Sequence, residues 1–152
     1  MRALVQRVKR CSVTVGGTLH SSIGRGMLIL LGVKNGDTES DAAYLAERCS
    51  ALRIFEDSSG KMNCSIKDVR GDAMVVSQFT LYGDTRKGNR PSYTDAAPPN
   101  IAEALYDSFI NHLKKHGVNL HIASGVFRAM MDVELVNDGP VTVMMESKNR
   151  VP

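Results

Sequence analysis

The chain has 152 residues, 43% of them hydrophobic and 23% charged, the make-up of an ordinary globular protein rather than a disordered or fibrous one. Its net charge of +3 is too mild to point to a nucleic-acid partner on its own, and no apolar run approaches the roughly 20 residues of a membrane helix. Arg2, Arg7, Lys9 and Arg10 interrupt the N-terminal apolar stretch and leave no signal-peptide core, so a cytoplasmic chain with no membrane partner is expected.

Residues 2–8 alternate apolar and polar positions through Ala3 and Val5, which predicts a strand with a break at Val8. Val13 and Val15 flank Thr14, and Gly16-Gly17 follows as a hairpin turn. Gly24-Arg25-Gly26 marks a second turn before Met27 to Val33, an unbroken apolar run of the length expected for a buried strand. After the turn Asn35-Gly36-Asp37, Thr38 and Asp41 resemble a capping box. Ala42, Leu45, Ala46, Cys49 and Leu52 then recur at helical spacing, predicting a helix over 39–52. Arg53 to Phe55 is a short strand ended by Asp57-Ser58-Ser59-Gly60, and Met74 to Leu81 is a strand that turns polar near its end.

Residues 82–99, with Gly83, Gly88, Pro91, Pro98 and Pro99, predict a long loop, a length usually tied to function or disorder. Asn100 is placed to cap a second helix whose core stripe is Ala102, Leu105, Phe109 and Leu113, with Gly117 as its stop. Strands near 129–136 and 141–146 follow, separated by Asn137-Asp138-Gly139-Pro140. About seven or eight strands around two helices do not fit a βαβα alternation. The expectation is a single domain over residues 1–152, α/β in class, with mixed sheets and helices packed on them.

Few residues announce chemistry by type and spacing. Cys11, Cys49 and Cys64 form no C-x-x-C pair, which predicts free thiols and no zinc site. His112 and His116 stand one helical turn apart without a third ligand nearby, so a solvated helix face is expected and no metal. Arg86, Lys87 and Arg90 crowd one loop; a solvated loop and a phosphate-binding patch both remain open on composition. Ser77-Gln78-Phe79-Thr80 ends an apolar strand with hydrogen-bonding side chains and no His or Asp beside it. Substrate binding, nucleophilic attack and plain strand packing all stay open there. Asn-Asp-Gly-Pro at 137–140 is strong turn chemistry by itself.

Taken together, S-Q-F-T-L at 77–81 and N-D-G-P-V-T at 137–142 resemble the two signature motifs of the D-aminoacyl-tRNA deacylase family, in the right order. The opening M-R-A-L-V-Q-R-V, the stretch Gly26 to Val33, R-I-F at Arg53, K-G-N-R-P-S at Lys87 and E-A-L-Y-D at Glu103 are similar to that family too, so the likeness covers nearly the whole chain. The resemblance implies a barrel-like sheet with two helices and a hydrolase that cleaves the ester of D-aminoacyl-tRNA without a cofactor. Its role would be chiral proofreading in translation, with glycyl-tRNA as a further substrate. It also implies a homodimer whose active sites are built across the interface.

On that resemblance Ser77, Gln78, Phe79 and Thr80 line the pocket, and backbone N–H groups near Phe79 and Thr80 polarise the ester carbonyl. Gly139-Pro140, with a cis peptide, enters the partner's pocket and rejects L side chains by main-chain contact. Arg7 holds that turn, Phe127 and Met131 wall the adenosine site, and Arg86, Lys87 and Arg90 meet acceptor-stem phosphates. Attack by water assisted by the ribose 2′-hydroxyl is preferred, with Thr80 positioning the ester. The chain departs from the family pattern at Arg128, where a small residue is common, and at Met130, where an acidic one is. Arg128 is either a phosphate contact or a solvated residue. Three other readings stand beside this one: a nucleic-acid binding module, an esterase or aminopeptidase of different range, and an editor of L-alanyl-tRNA, against which Pro140 argues.

Overall fold

A computed structural model describes residues 1–117 and 120–148. Its elements run β1 (Arg2–Val15), β2 (Thr18–Ile23), β3 (Gly26–Gly32), α1 (Glu39–Ala51), β4 (Phe55–Glu56), β5 (Met62–Cys64) and β6 (Asp72–Ser77). A 3-10 turn (Phe79–Tyr82), α2 (Pro99–His116), β7 (Ile122–Ser124) and β8 (Asp132–Glu146) follow. β1 is the organising strand. Along one edge it pairs antiparallel with β8, and along the other its first half pairs with β3 and its second half with β2. β3 continues the sheet in parallel to β6, and β6 to β7. The sheet curls until β2 meets β7, where the Ser21 hydroxyl donates to the Ser124 carbonyl at 2.8 Å.

Curling gives the sheet two buried faces. Ala3, Val5, Met27, Ile29, Leu31, Ala73 and Val75 pack outward on α1 and α2, in one cluster with Leu45, Cys49, Phe109 and Leu113. Val8, Cys11, Val13, Ile23, Leu28, Met74, Val76 and Ala123 fill the inside of the curl. Met27 to Leu31 therefore shows no alternation because both faces of β3 are covered, a pattern more usual for parallel sheets. The expected barrel-like α/β architecture with two packed helices is the one observed. Burial pushes the Cys11 thiol up to about 11 and Cys49 to about 12, so both are protonated, inert packing groups.

Several boundaries differ from the sequence-based ones. The strands expected at 2–8 and 13–15 are one strand, which switches faces at a bulge between Val8 and Arg10 and so puts Val8 and Val13 in the same cluster. The strands expected at 129–136 and 141–146 are likewise one strand, β8, interrupted rather than ended by Asn137 to Pro140. The strand expected over 74–81 starts at Asp72 and stops at Ser77, because the chain tightens there into the 3-10 turn. Pro98, not Asn100, caps α2: Pro99 occupies the first helical position, where its missing N–H costs nothing. Strands β2, β5 and β7 are short or polar and carried no clear period.

At the start of α1 the Asp41 carboxylate accepts from the Thr38 N–H at 2.8 Å, the expected capping box with Asp in the role of Glu. Phe109 is 0% exposed and sits where α2 meets the sheet. Phe109→Ala is expected to lower stability by about 3–5 kcal/mol, read as a fall in the denaturant midpoint with an unchanged slope.

Candidate active site

A cleft with a volume of about 860 Å³ opens beside the C-terminal end of β6. Its walls come mainly from Val76 to Phe79, from Tyr93, Thr94 and Ala96 to Pro99, and from Phe127 to Met131, with Val33 and Asn35 beside them. Of the residues expected at a site, Ser77, Gln78, Phe79, Phe127 and Met131 meet here. Thr80 is exposed one residue beyond the lining, and its hydroxyl accepts a hydrogen bond from Gln78 Nε2. Arg7, Gly139 and Pro140 are not in this lining, and neither are Arg86, Lys87 and Arg90.

The floor of the cleft is held from behind. Gln78 N–H donates to the Leu31 carbonyl at 2.8 Å, a last rung that continues the β3–β6 pairing. The chain then turns into the 3-10 helix, leaving the amides of Phe79 and Thr80 at its start. N–H groups in the first turn of such a helix have no acceptor one turn back and carry the positive end of its dipole. At the other end of the turn, Arg2 donates to the Leu81 carbonyl at 2.9 Å and stacks over the Tyr82 ring with its guanidinium carbon 4.6 Å from the centroid.

Phe79 is 56% exposed and meets Tyr93 edge-on, ring centroids 5.1 Å apart. Gly83 makes this contact possible, since a Cβ there would lie 3.0 Å from the Thr80 carbonyl oxygen and 3.1 Å from the Tyr93 ring. Tyr93 is delivered by the loop over residues 82–99, which is better ordered than its composition suggests. Asp84 and Ser92 exchange two backbone hydrogen bonds of 2.8 and 3.0 Å, Ala97 N–H donates to the Val33 carbonyl, and Asn35 binds Asp95 and Thr94. The three cations sit between Asp84 and Ser92. Arg86 is held by Asp84 through two hydrogen bonds of 2.9 and 2.7 Å, which keeps the Asp84 carboxyl down at about 2, while Lys87 and Arg90 are exposed.

The far wall rests on α2. Tyr106 donates to the Val75 carbonyl at 2.9 Å, burial pushes its hydroxyl up to about 12, and its ring lies 5.9 Å from that of Phe127. The Met131 sulfur accepts from the Val126 N–H at 3.4 Å. Among the described residues lining the cleft there is no His, Cys, Lys, Asp or Glu. Nothing in that lining could activate a side-chain nucleophile as a base. What the cleft offers is an apolar slot with amide and hydroxyl groups at one end.

Asn137 to Val141 form a second feature. Gln6 pairs with Thr142 and Val8 with Asn137, so residues 138–141 of β8 loop out of the ladder opposite Arg7 alone. Arg7 is 7% exposed and fills the gap. Its Nε donates to the Asp138 carbonyl at 3.0 Å and lies 3.4 Å from the Asp138 carboxylate, and its Nη1 donates to the Ile54 carbonyl at 2.7 Å. Asn137 closes the base of the excursion by donating to the carbonyls of Arg7 and Val141 at 2.9 and 3.0 Å. The Gly139–Pro140 peptide is cis, Gly139 has φ +136°, and both residues are exposed. A Cβ on Gly139 would sit 2.7 Å from Val141 Cγ2 and 2.8 Å from its nitrogen, so the excursion is specific for glycine there.

Sequence reasoning named Arg7 and the turn but missed the parts of Arg2, Tyr93 and Asn137. Arg2 and Tyr93 work through contacts with segments about eighty and fourteen residues away, and no local period marks them.

Residues 4–146 match the family described as D-Tyr-tRNA(Tyr) deacylase. A protein of Carboxydothermus hydrogenoformans named D-aminoacyl-tRNA deacylase is 55% identical over 146 residues, covering 96% of this chain and 99% of its own. One of the same name from Roseiflexus castenholzii is 56% identical over 147 residues, covering 97% and 92%. Among solved structures, the c-Myc DNA Unwinding Element Binding Protein superposes with a TM-score of 0.91 at 44% identity, covering 96% of this chain and 98% of that one. A probable eukaryotic D-amino acid tRNA deacylase superposes at 0.78 with 17% identity, covering 95% and 98%, a likeness of fold alone.

Arg7→Ala would leave the Asp138 and Ile54 carbonyls without their charged donor. It is expected to cost about 2–4 kcal/mol of stability, measured by chemical denaturation, with Arg7→Lys recovering only part because one ammonium cannot span both acceptors.

Proposed function

The chain belongs to the D-Tyr-tRNA(Tyr) deacylase family, and from that premise we propose how its own residues cleave the ester of a D-aminoacyl-tRNA and refuse the L form. The reaction is hydrolysis: water adds to the ester carbonyl carbon, the bond to the ribose oxygen breaks, and a free D-amino acid and tRNA leave. The terminal adenosine lies in the cleft between Phe127 and Met131, and the ester lies over Ser77 to Thr80. The amides of Phe79 and Thr80, at the positive end of the 3-10 turn, hold the carbonyl oxygen as charge builds on it; one such donor is typically worth 10²–10³ in rate. The absence of a base among the described lining residues supports attack by water, with the ribose 2′-hydroxyl assisting and Thr80 positioning the ester.

One observation carries the chiral part of the reading. The Gly139-Pro140 excursion is rigidly held by Arg7 and Asn137, is exposed, and is absent from the lining of its own chain's cleft. A structure held that firmly and presented outward is suited to enter the cleft of a second copy, as in a homodimer with sites at the interface. β8 supports this, because its edge away from β1 has no strand partner among the described residues. Main-chain atoms at Gly139 and Pro140 would then stand where an L side chain must point. Such a block rejects every L side chain alike, tolerates any D side chain, and lets glycine pass, which makes glycyl-tRNA a second substrate. Lys87 and Arg90 are free to meet acceptor-stem phosphates, whereas Arg86 must first exchange Asp84 for one.

Matched D-tyrosyl-tRNA and L-tyrosyl-tRNA, incubated with the purified protein and assayed for remaining ester, should diverge: the D ester is lost and the L ester survives. Equal loss of both would remove the chiral block, and loss of neither would remove the hydrolytic reading. Thr80→Ala should keep kcat within about tenfold of wild type, whereas deleting a true nucleophile costs about a millionfold.

A further inference from the structure

Arg128 is the one charged side chain among the described residues lining the 860 Å³ cleft. Four other arginines are committed to carboxylates: Arg2 to Glu146, Arg7 to Asp138, Arg10 to Glu134 and Arg86 to Asp84. Arg128 has no hydrogen bond or ion pair with any described residue, and it is exposed. It also occupies a backbone position that suits it poorly. Ala129 N–H donates to the Val126 carbonyl at 3.2 Å, which makes Val126 to Ala129 a tight turn with Arg128 third, at φ +65°. Positive φ at that position favours glycine or asparagine, and an arginine there is disfavoured.

The turn is anchored on both sides. Gly125 N–H donates to the Val75 carbonyl at 3.0 Å, the Met131 sulfur takes the Val126 N–H, and the Phe127 ring packs by Tyr106. An unpaired cation is thus fixed at the mouth of an apolar slot that otherwise holds only neutral groups. A guanidinium in such surroundings binds phosphate oxygens through two parallel hydrogen bonds, and a disfavoured residue held at a rigid site is a marker of function.

We propose that Arg128 binds the 5′-phosphate of the nucleoside seated in this cleft, adding an anion subsite to the adenosine pocket. The inference rests on the deacylase reading of the cleft, since that reading puts a terminal nucleotide there. Arg128 is a binding residue and takes no part in the chemistry at the ester.

The test compares adenosine and adenosine 5′-monophosphate as inhibitors of D-tyrosyl-tRNA hydrolysis. In the wild type the monophosphate is expected to inhibit on the order of tenfold more tightly than adenosine, the size of one charge-assisted contact. Arg128→Gly should erase that gap, and Arg128→Lys should keep part of it. Glycine suits the positive φ, so R128G is expected to fold at least as stably as the wild type, checked by thermal melting. A monophosphate no tighter than adenosine in the wild type overturns the proposal, as does a gap that survives in R128G. If the wild type does not hydrolyse D-tyrosyl-tRNA, the deacylase reading fails instead. Calorimetric titration of adenosine and its 5′-monophosphate into wild type and R128G then decides the phosphate contact by the same gap.

Discussion

A buried guanidinium needs acceptors on every side, and the way Arg7 finds them shapes the rest of the molecule. It lies on the face of β1 that packs beneath α1 and α2, where Ala3 and Val5 are fully buried, and a hydrophobic residue would be the default. With Arg7 in that row, the β8 ladder cannot close over it; the partner strand loops outward across residues 138–141 and offers its Asp138 carbonyl and carboxylate to the charge. The Ile54 carbonyl, from the segment after α1, completes the set. Removing one partner of such a buried arrangement costs more than the pair contributes when intact, because the other is left unsatisfied in a poor solvent. One side chain thus ties together β1, β8 and the segment that follows α1, and its consequence at the surface is a rigid, protruding Gly-Pro turn.

The cleft depends on a different device, the change from strand to 3-10 turn at Gln78. Had β6 continued as a strand, the amides after Ser77 would have been consumed by a neighbouring strand. Tightening into a turn frees those of Phe79 and Thr80, and Arg2 satisfies the far end. Tyr93 and the loop that delivers it then bear on Phe79 from the side. Each segment of the wall hangs from the same sheet: Gln78 from Leu31, Ala97 from Val33, Gly125 from Val75. A cleft built this way is positioned by strands, with loops supplying its exposed surfaces.

Much of the architecture was legible in the sequence. The glycine-bounded apolar run of β3, the capping box and stripe of α1, and the stripe and glycine stop of α2 were placed correctly because each is written in a local period or a turn residue. The two motifs at 77–81 and 137–142, together with the wider resemblance, led to the family that residues 4–146 match. Errors gathered where two strands interact. The split of β8 at Asn137 followed turn propensity, which is correct about the bend and silent about the ladder resuming beyond it. The extension of β6 to Leu81 followed hydrophobicity, which does not distinguish a last strand residue from a first 3-10 one.

What the sequence determined by itself was the two helices, the buried strand β3, the residues with one apolar face, and the presence of both signature turns. Only the tertiary structure decided that Val8 and Val13 share a face, that Arg7 stands opposite the excursion at 138, and that Arg128 is the single charge among the described residues of the lining. The reason is physical. Periodicity and turn chemistry act within a few residues along the chain, whereas a register shift or an unpaired charge is defined by a partner strand more than a hundred residues away.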